Sequence, residues 1–290
     1  MHAFFFGLGF SSQAAVTNLR IGSHAVSISG TVRTADKAQM LARGGIDAHV
    51  FDGTAPGATL GPSLRDASHV ILSIAPGPDG DSALLHHRAD LDAATNLEWL
   101  CYYSTVGVYG DFGGAWIDES APLVPRNERS DRRVLAEQAW RDYAAQRGLP
   151  LTILRLAGIY GLGRSTFDKL RDGTSRRVVK PGQVFNRIHV DDIGRVTALA
   201  AAARLDGTFN LGDDEPAPPQ EVIAHAAAML GIEPPPEIPF ETAEMTPMQR
   251  SFYADNKRVS NAAIKQALGI ELLYPTYREG LAAIYLKEQA

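Results

Sequence analysis

Short apolar runs alternate along the first half of the chain with longer stretches in which apolar residues recur at helical spacing. The runs 3–6, 25–28, 48–51, 69–74, 97–104 and 151–154 are bounded by turn residues and predict buried strands. Between them, 11–20, 35–43, 60–66, 81–95 and 130–146 predict helices. Gly22, the pair Gly44-Gly45 and Gly148 follow helical stretches where left-handed C-terminal caps are expected. Strands and helices in strict alternation call for parallel strands joined by right-handed helical crossovers. The expected fold is therefore α/β, a Rossmann-type doubly wound parallel sheet.

After about residue 156 the rhythm changes. Gly158, Gly161, Gly163, Gly173 and Gly182 break the chain around one predicted strand (184–188), one helix (192–204) and a further strand (208–211). Beyond Asp213 proline becomes frequent, as in Pro234-Pro235-Pro236. The expected organisation is a dinucleotide-binding domain from 1–156 with 184–212. A smaller C-terminal substrate lobe is expected from 157–183 and 213–290.

Composition narrows the function. With 45% hydrophobic and 21% charged residues, the 290-residue chain reads as an ordinary globular protein. A net charge of −5 with no basic stripe argues against a nucleic-acid partner. No apolar stretch is long enough to span a membrane, and 3–6 is too short for a signal peptide, so a cytoplasmic location is expected. Cys101 is the single cysteine and lies in an apolar run, which predicts a buried, inert thiol and rules out a cysteine-based metal site. No metal site is expected at all.

The strongest motif is Gly7-Leu8-Gly9-Phe10-Ser11-Ser12, which follows the first predicted strand and opens the first helix. Gly7 permits the tight turn, Gly9 lets a pyrophosphate approach the backbone, and the helix start at Phe10 and Ser11 faces the anion. Ser12 stands where the pattern has glycine or alanine, one oxygen larger than alanine. An NAD site would carry an acidic residue about twenty positions on. Here the second strand runs through Thr31 to Arg33 and Thr34, and the first acidic residue is Asp36. Arg33, helped by Thr31 or Thr34, suits a 2′-phosphate, so the expected cofactor is NADP, with NAD less favoured. Asp52 is a candidate for the adenine amine or equally a turn aspartate. Ile74, Ala75 and Pro76 are expected to form a flat wall for adenine and ribose.

Further along, Ser104-Thr105-Val106-Gly107-Val108-Tyr109-Gly110, Arg155-Leu156-Ala157-Gly158-Ile159-Tyr160-Gly161, Arg187-Ile188-His189-Val190-Asp191-Asp192 and Phe209-Asn210-Leu211-Gly212 follow one another. In order and spacing they resemble the extended short-chain dehydrogenase/reductase superfamily, the epimerase/dehydratase group, over most of the chain. The resemblance implies that Thr105, with Ser104 beside it, bonds the substrate oxygen. It also implies a Tyr-x-x-x-Lys pair on the next helix, with a glutamate four residues later that matches Glu137. Arg129 and Arg133 occupy the tyrosine and lysine positions, so the chain resembles an atypical, divergent branch. Arginine stays protonated and cannot shuttle a proton as tyrosine does. Arg133 is read either as a holder of the nicotinamide ribose or as part of a solvated face pairing with Glu137 one turn on. The resemblance makes Tyr109 structural and has Asp192 cap a helix; Tyr160 is a lesser candidate for the pocket.

The expected function is an NADP(H)-dependent oxidoreductase or epimerase-like enzyme on a small carbonyl or sugar-nucleotide substrate. Arg155 and Arg164 suggest an acidic or phosphate-bearing one. The alternative is a catalytically inactive NADP(H)-binding regulatory or redox-sensing protein; a flavin protein is a distant third. A homodimer is the prior expectation for assembly.

Overall fold

The computed structural model describes residues 1–22 and 25–289. In chain order the first elements are β1 (His2–Phe6), α1 (Phe10–Gly22), β2 (Ser27–Val32), α2 (Ala35–Arg43), β3 (Asp47–Val50), α3 (Gly61–Arg65), β4 (His69–Leu72), α4 (Ser82–Asp92), β5 (Trp99–Thr105), β6 (Trp116–Ile117) and α5 (Glu128–Arg147). Next come β7 (Leu151–Leu156), β8 (Gly158–Tyr160), α6 (Thr166–Arg171), β9 (Arg177–Val179), β10 (Arg187–His189), α7 (Val190–Ala203) and β11 (Gly207–Leu211). The chain ends with α8 (Pro219–Leu230), β12 (Glu237–Pro239), α9 (Pro247–Phe252), β13 (Arg258–Val259), α10 (Ala262–Leu268) and α11 (Tyr277–Gln289).

A seven-stranded parallel sheet runs in the order β11-β7-β5-β4-β1-β2-β3, the Rossmann-type arrangement expected. The apolar run alone ends the second strand at 28, whereas β2 runs from Ser27 to Val32, closer to the reading that carries it through Thr31. Gly30 explains the difference, because it pairs with Phe5 and a Cβ there would lie 2.4 Å from the Phe5 carbonyl oxygen. That glycine is a close-packing position inside a strand, not a strand end. Of the predicted caps, Gly148 (φ 63°) and Gly45 (φ 70°) are left-handed; Gly44 (φ −89°) is not, and Gly22 remains in the last turn of α1.

The chain divides into two compact units. The first comprises Met1–Thr105, Asn127–Arg155 and Ile193–Phe209; the second comprises Val106–Arg126, Leu156–Asp192 and Asn210–Ala290. Segments 106–126, 184–192 and 210–212, with residue 156, thus fall outside the division read from the sequence. Residues 106–126 belong to the second unit because β6 pairs with β13 and the Tyr109 hydroxyl donates to Asn210 Oδ1 at 2.7 Å. Residues 184–192 join it because β10 pairs with β8. Asp192 accepts from the backbone N–H groups of Leu273 (2.6 Å) and Tyr274 (3.1 Å), so it ties down the approach to α11 and is not simply a helix cap.

In the first unit the core packs Phe4, Phe6, Leu72, Leu100, Tyr102 and Trp140 between sheet and helices. Cys101 is fully buried, and burial pushes its thiol up, as an inert core residue requires. At the centre lies a buried carboxylate, Glu137 of α5. Burial alone would push this carboxyl up. Hydrogen bonds and charge from Arg155, then Ser104 and Arg141, outweigh that and hold it below the usual range. Arg155 donates in a fork to both oxygens (3.1 and 2.8 Å), Arg141 donates at 3.0 Å and Ser104 Oγ at 2.5 Å. One carboxylate therefore joins α5 to β5 and β7. Removing one partner of a buried pair leaves a charge stranded. Glu137→Ala is expected to lower stability by about 3–5 kcal/mol, a fall in melting temperature of roughly 10 °C, measured by calorimetry.

The second unit contains the opposite case. Asp213, 1% exposed, makes no well-formed hydrogen bond on either carboxylate oxygen among the described residues, although the Glu215 N–H approaches it. Burial, opposed by the charge of Arg187, pushes its carboxyl up to about 8 from an ordinary 3.8. A raised acid works against folding as pH climbs: the unfolded chain ionises first, so stability is lost between about pH 4 and pH 8. Asp213→Asn is expected to melt close to wild type near pH 4 and more than about 3 °C above it near pH 9.

Candidate dinucleotide site

β1 lies between β4 and β2, so the direction of strand addition reverses on either side of it. In open α/β sheets ligands occupy the crevice beyond the carboxyl ends of the strands at such a point. The chain leaves β1 there through Gly7, whose φ of +96° is the left-handed region that glycine tolerates. A Cβ on Gly7 would lie 3.0 Å from Ile74 Cγ2. The Gly7 N–H donates to Thr31 Oγ1, and the Leu8 N–H to the Thr31 carbonyl, both at 2.8 Å. Thr31 is buried and its hydroxyl braces the glycine turn, so it is not placed to help a phosphate.

Gly9 differs from Gly7. A Cβ added to it meets nothing within 4 Å, so nothing within the protein itself demands a glycine there. α1 starts at Phe10 with no acidic residue in its first turn, which leaves its positive end uncompensated. Ser11 and Ser12 are buried in that turn, and Ser12 Oγ has no partner among the described residues. The same helix meets α7 closely: a Cβ on Gly194 would lie 2.5 Å from the Ala14 carbonyl oxygen. Gly194 is a packing requirement that sequence reading missed.

At the end of β2, Arg33 is exposed and has no hydrogen bond or ion pair among the described residues. Thr34 caps α2, accepting from the Lys37 N–H at 3.4 Å. Asp52 is exposed and folded onto Thr54, accepting from its N–H (2.9 Å) and hydroxyl (2.7 Å). These two bonds hold its carboxyl below the ordinary range, as in a turn aspartate. Past β4, Ile74 packs against the core and against Gly7, Ala75 is exposed and Pro76 is buried.

The end of β5 separates the two candidate hydroxyl residues. Ser104 is buried and its hydroxyl is committed to Glu137, while Thr105, on the opposite face, is only half-buried. Arg133 departs from the helix-face reading, because Glu137 pairs with Arg155 and Arg141 and not with it. Instead Arg133 Nη1 donates to the Tyr103 carbonyl (2.7 Å), the Tyr102 hydroxyl (3.1 Å) and the Ile74 carbonyl (3.5 Å). Its guanidinium lies 5.6 Å from the centre of the Tyr102 ring. It thereby clamps the ends of β4 and β5 together. Arg132 pairs with Glu128, and Arg129 is exposed.

Other expectations fall elsewhere. Arg155 is spent on Glu137 inside the core and cannot meet a substrate. Arg164 is exposed, in the second unit. Tyr160 is half-buried there with its hydroxyl enclosed, and burial pushes that hydroxyl up. Among the described residues, no group of three or more acidic, histidine or cysteine side chains is placed to hold a metal. No helix among them is long and apolar enough to cross a membrane. The contrast between the two glycines is testable by calorimetry. Gly7→Ala is expected to destabilise the fold by about 1–2 kcal/mol, whereas Gly9→Ala is expected to leave stability within about 0.5 kcal/mol of wild type.

The NAD dependent epimerase/dehydratase family matches residues 87–212. A solved structure from Silicibacter pomeroyi DSS, described as a functionally unknown conserved protein, is 43% identical. The match covers 99% of this chain and 98% of that one, with a TM-score of 0.89. UDP-glucuronic acid 4-epimerase from Bacillus cereus, in complex with UDP-glucuronic acid and NAD, has the same fold at 17% identity. Coverage is 100% of both chains and the TM-score is 0.76. A 3-diazoavenalumate denitrifying reductase from Streptomyces sp is 28% identical over 143 residues, 44% of this chain. The matched region spans 45% of that reductase's length. Together with the Rossmann sheet and the glycine turn, these matches make the chain similar to the NAD dependent epimerase/dehydratase family over residues 87–212, with the fold of its solved structures.

Proposed function

We propose that this protein binds NADP(H) across the ends of β1, β2 and β4 and acts as an oxidoreductase on a small carbonyl or sugar-nucleotide substrate. The observation that carries the reading is Gly9, a bare position in a turn whose neighbouring glycine is fixed by packing. A cradle that a Cβ would fill, in front of an uncompensated helix start, suits a pyrophosphate. Arg33, exposed and without a partner among the described residues, supports the 2′-phosphate, with Thr34 beside it. The Bacillus cereus epimerase structure is a complex with NAD, which makes the choice between the two the sharper experiment. Bound there, the nicotinamide supplies hydride chemistry.

The chain's own residues set what accompanies it. Thr105 is the hydroxyl that would polarise a substrate oxygen. Ser104 supports it indirectly, by fixing the end of β5 to Glu137. Arg133 holds the same strand end and keeps a permanent positive charge beside it. α5 carries no lysine, and its one tyrosine, Tyr143, is 1% exposed. Tyr102 and Tyr103 are buried, and burial pushes both hydroxyls up, so neither is a ready proton donor. That observation favours a second reading, a cofactor-binding regulator that turns nothing over. NADPH oxidation in the presence of carbonyl and sugar-nucleotide substrates separates the two.

Titration with NADPH and NADH, followed by nicotinamide fluorescence, tests the shared premise. Arg33→Ala is expected to weaken NADPH binding about tenfold or more while leaving NADH little changed. Equal effects on the two nucleotides, or none, would remove the 2′-phosphate reading.

A further inference from the structure

The segment 52–60, between β3 and α3, opens at the same edge of the sheet as Arg33, because β2 and β3 are parallel with Val32 opposite Val50. It borders the proposed nucleotide crevice and has no regular structure up to residue 57. Its far end is held by His49 of β3, whose Nδ1 lies 3.0 Å from Thr59 Oγ1, and the stretch before that by α4. A Cβ on Gly53 (φ +89°) would lie 3.0 Å from Ser82 Oγ. The Gly53 carbonyl and His86 Nε2 are 3.2 Å apart. The third tie is the most specific: the Gly57 N–H donates to His87 Nε2 at 2.9 Å.

His87 is 2% exposed and lies 5.1 Å from the Phe51 ring and 6.1 Å from the Phe6 ring. α4 leaves helical geometry at this residue (φ −128°, ψ 19°). Its other nitrogen, Nδ1, faces Asp90 Oδ2 at 3.0 Å. An ionised carboxylate only accepts, so Nδ1 carries the hydrogen. An amide N–H only donates, so Nε2 must be bare. The two contacts together specify one neutral tautomer. A proton on Nε2 would oppose two N–H groups and cancel the tie to Gly57. The charged groups around the ring are Asp90 on its own helix and Arg65 of α3, which pairs with Asp90. β1 presents Phe6 to it and the residue just after β3 presents Phe51, while Asp52 is exposed and turned onto Thr54.

We infer that His87 is a positioning residue for the nucleotide site, whose neutral imidazole fixes segment 52–60 along the crevice and releases it on protonation. The inference rests on the dinucleotide reading for its functional consequence, but the tie itself is measurable without ligand. His87→Gln supplies an acceptor that does not titrate, and His87→Leu supplies none.

Two readouts test it at about pH 7.5 and about pH 5.5. In the ligand-free protein, the protection factor of the Gly57 amide is expected to fall on acidification in wild type, to hold in His87→Gln, and to be low at both values in His87→Leu. NADPH affinity is expected to weaken about fivefold more in wild type than in His87→Gln over the same range, the worth of one hydrogen bond. The ligand's own protonation is common to both proteins and cancels in that comparison. Gly57 protection that is equally pH-dependent in wild type and His87→Gln would overturn the inference. So would protection in His87→Leu that matches wild type. If NADPH binds no variant at pH 7.5, the dinucleotide reading fails, and the Gly57 amide alone then decides whether His87 holds the segment.

Discussion

Glu137 is wholly buried and ionised, and four groups keep it so: two nitrogens of Arg155, one of Arg141, and the hydroxyl of Ser104. Taking a carboxylate and a guanidinium out of water costs several kcal/mol for each ion. Only a well-formed set of hydrogen bonds returns that energy, so the arrangement tolerates little displacement. Its consequence is positional. β5, α5 and β7 are locked at one point, and the next residue along β5, Thr105, inherits a defined place at the sheet edge. Arg133 makes a second fixation one residue before Ser104, through the Tyr103 carbonyl, and reaches the Ile74 carbonyl just past β4. The two guanidiniums, Arg133 and Arg155, thus do structural work in a region where a charged side chain is easily mistaken for a substrate ligand.

The glycine turn follows a different logic. Gly7 is required by backbone conformation and by Ile74, and Thr31 satisfies its N–H. Gly9 is required by none of these. Within one motif, therefore, one glycine belongs to the fold and the other points to a ligand. The free charge of Arg33 lies at the end of the adjacent strand, and the edge continues to segment 52–60, tied down by His86 and His87. The proposed nucleotide site is thereby a set of strand ends braced from behind by side chains that do not themselves reach the crevice.

Much of this was legible in the sequence. The alternation of apolar runs and helical stretches specified the sheet class, because buried parallel strands need apolar residues on both faces. The glycine motif was readable because its spacing reflects backbone geometry. Pairing partners were not readable. Nothing in the spacing shows that Arg155, rather than Arg133, meets Glu137, or that Thr31 turns inward to Gly7 while Arg33 turns out. Those choices depend on which face of a strand meets which helix, and a helix at i+4 offers a plausible partner whether or not it is used. The same limit hid Gly194, which looks like any helical glycine until α1 is packed against it. The second unit was the least legible, since its two-stranded pairings join segments as distant as Trp116 and Arg258.

Hydrogen–deuterium exchange of the backbone, with and without saturating NADPH, tests the central claim most directly. The account predicts added protection in residues 7–13, at 32–34 and at 73–77, with the centre of the sheet unchanged. Protection confined to other parts of the chain, or none in a large excess of NADPH, would contradict it.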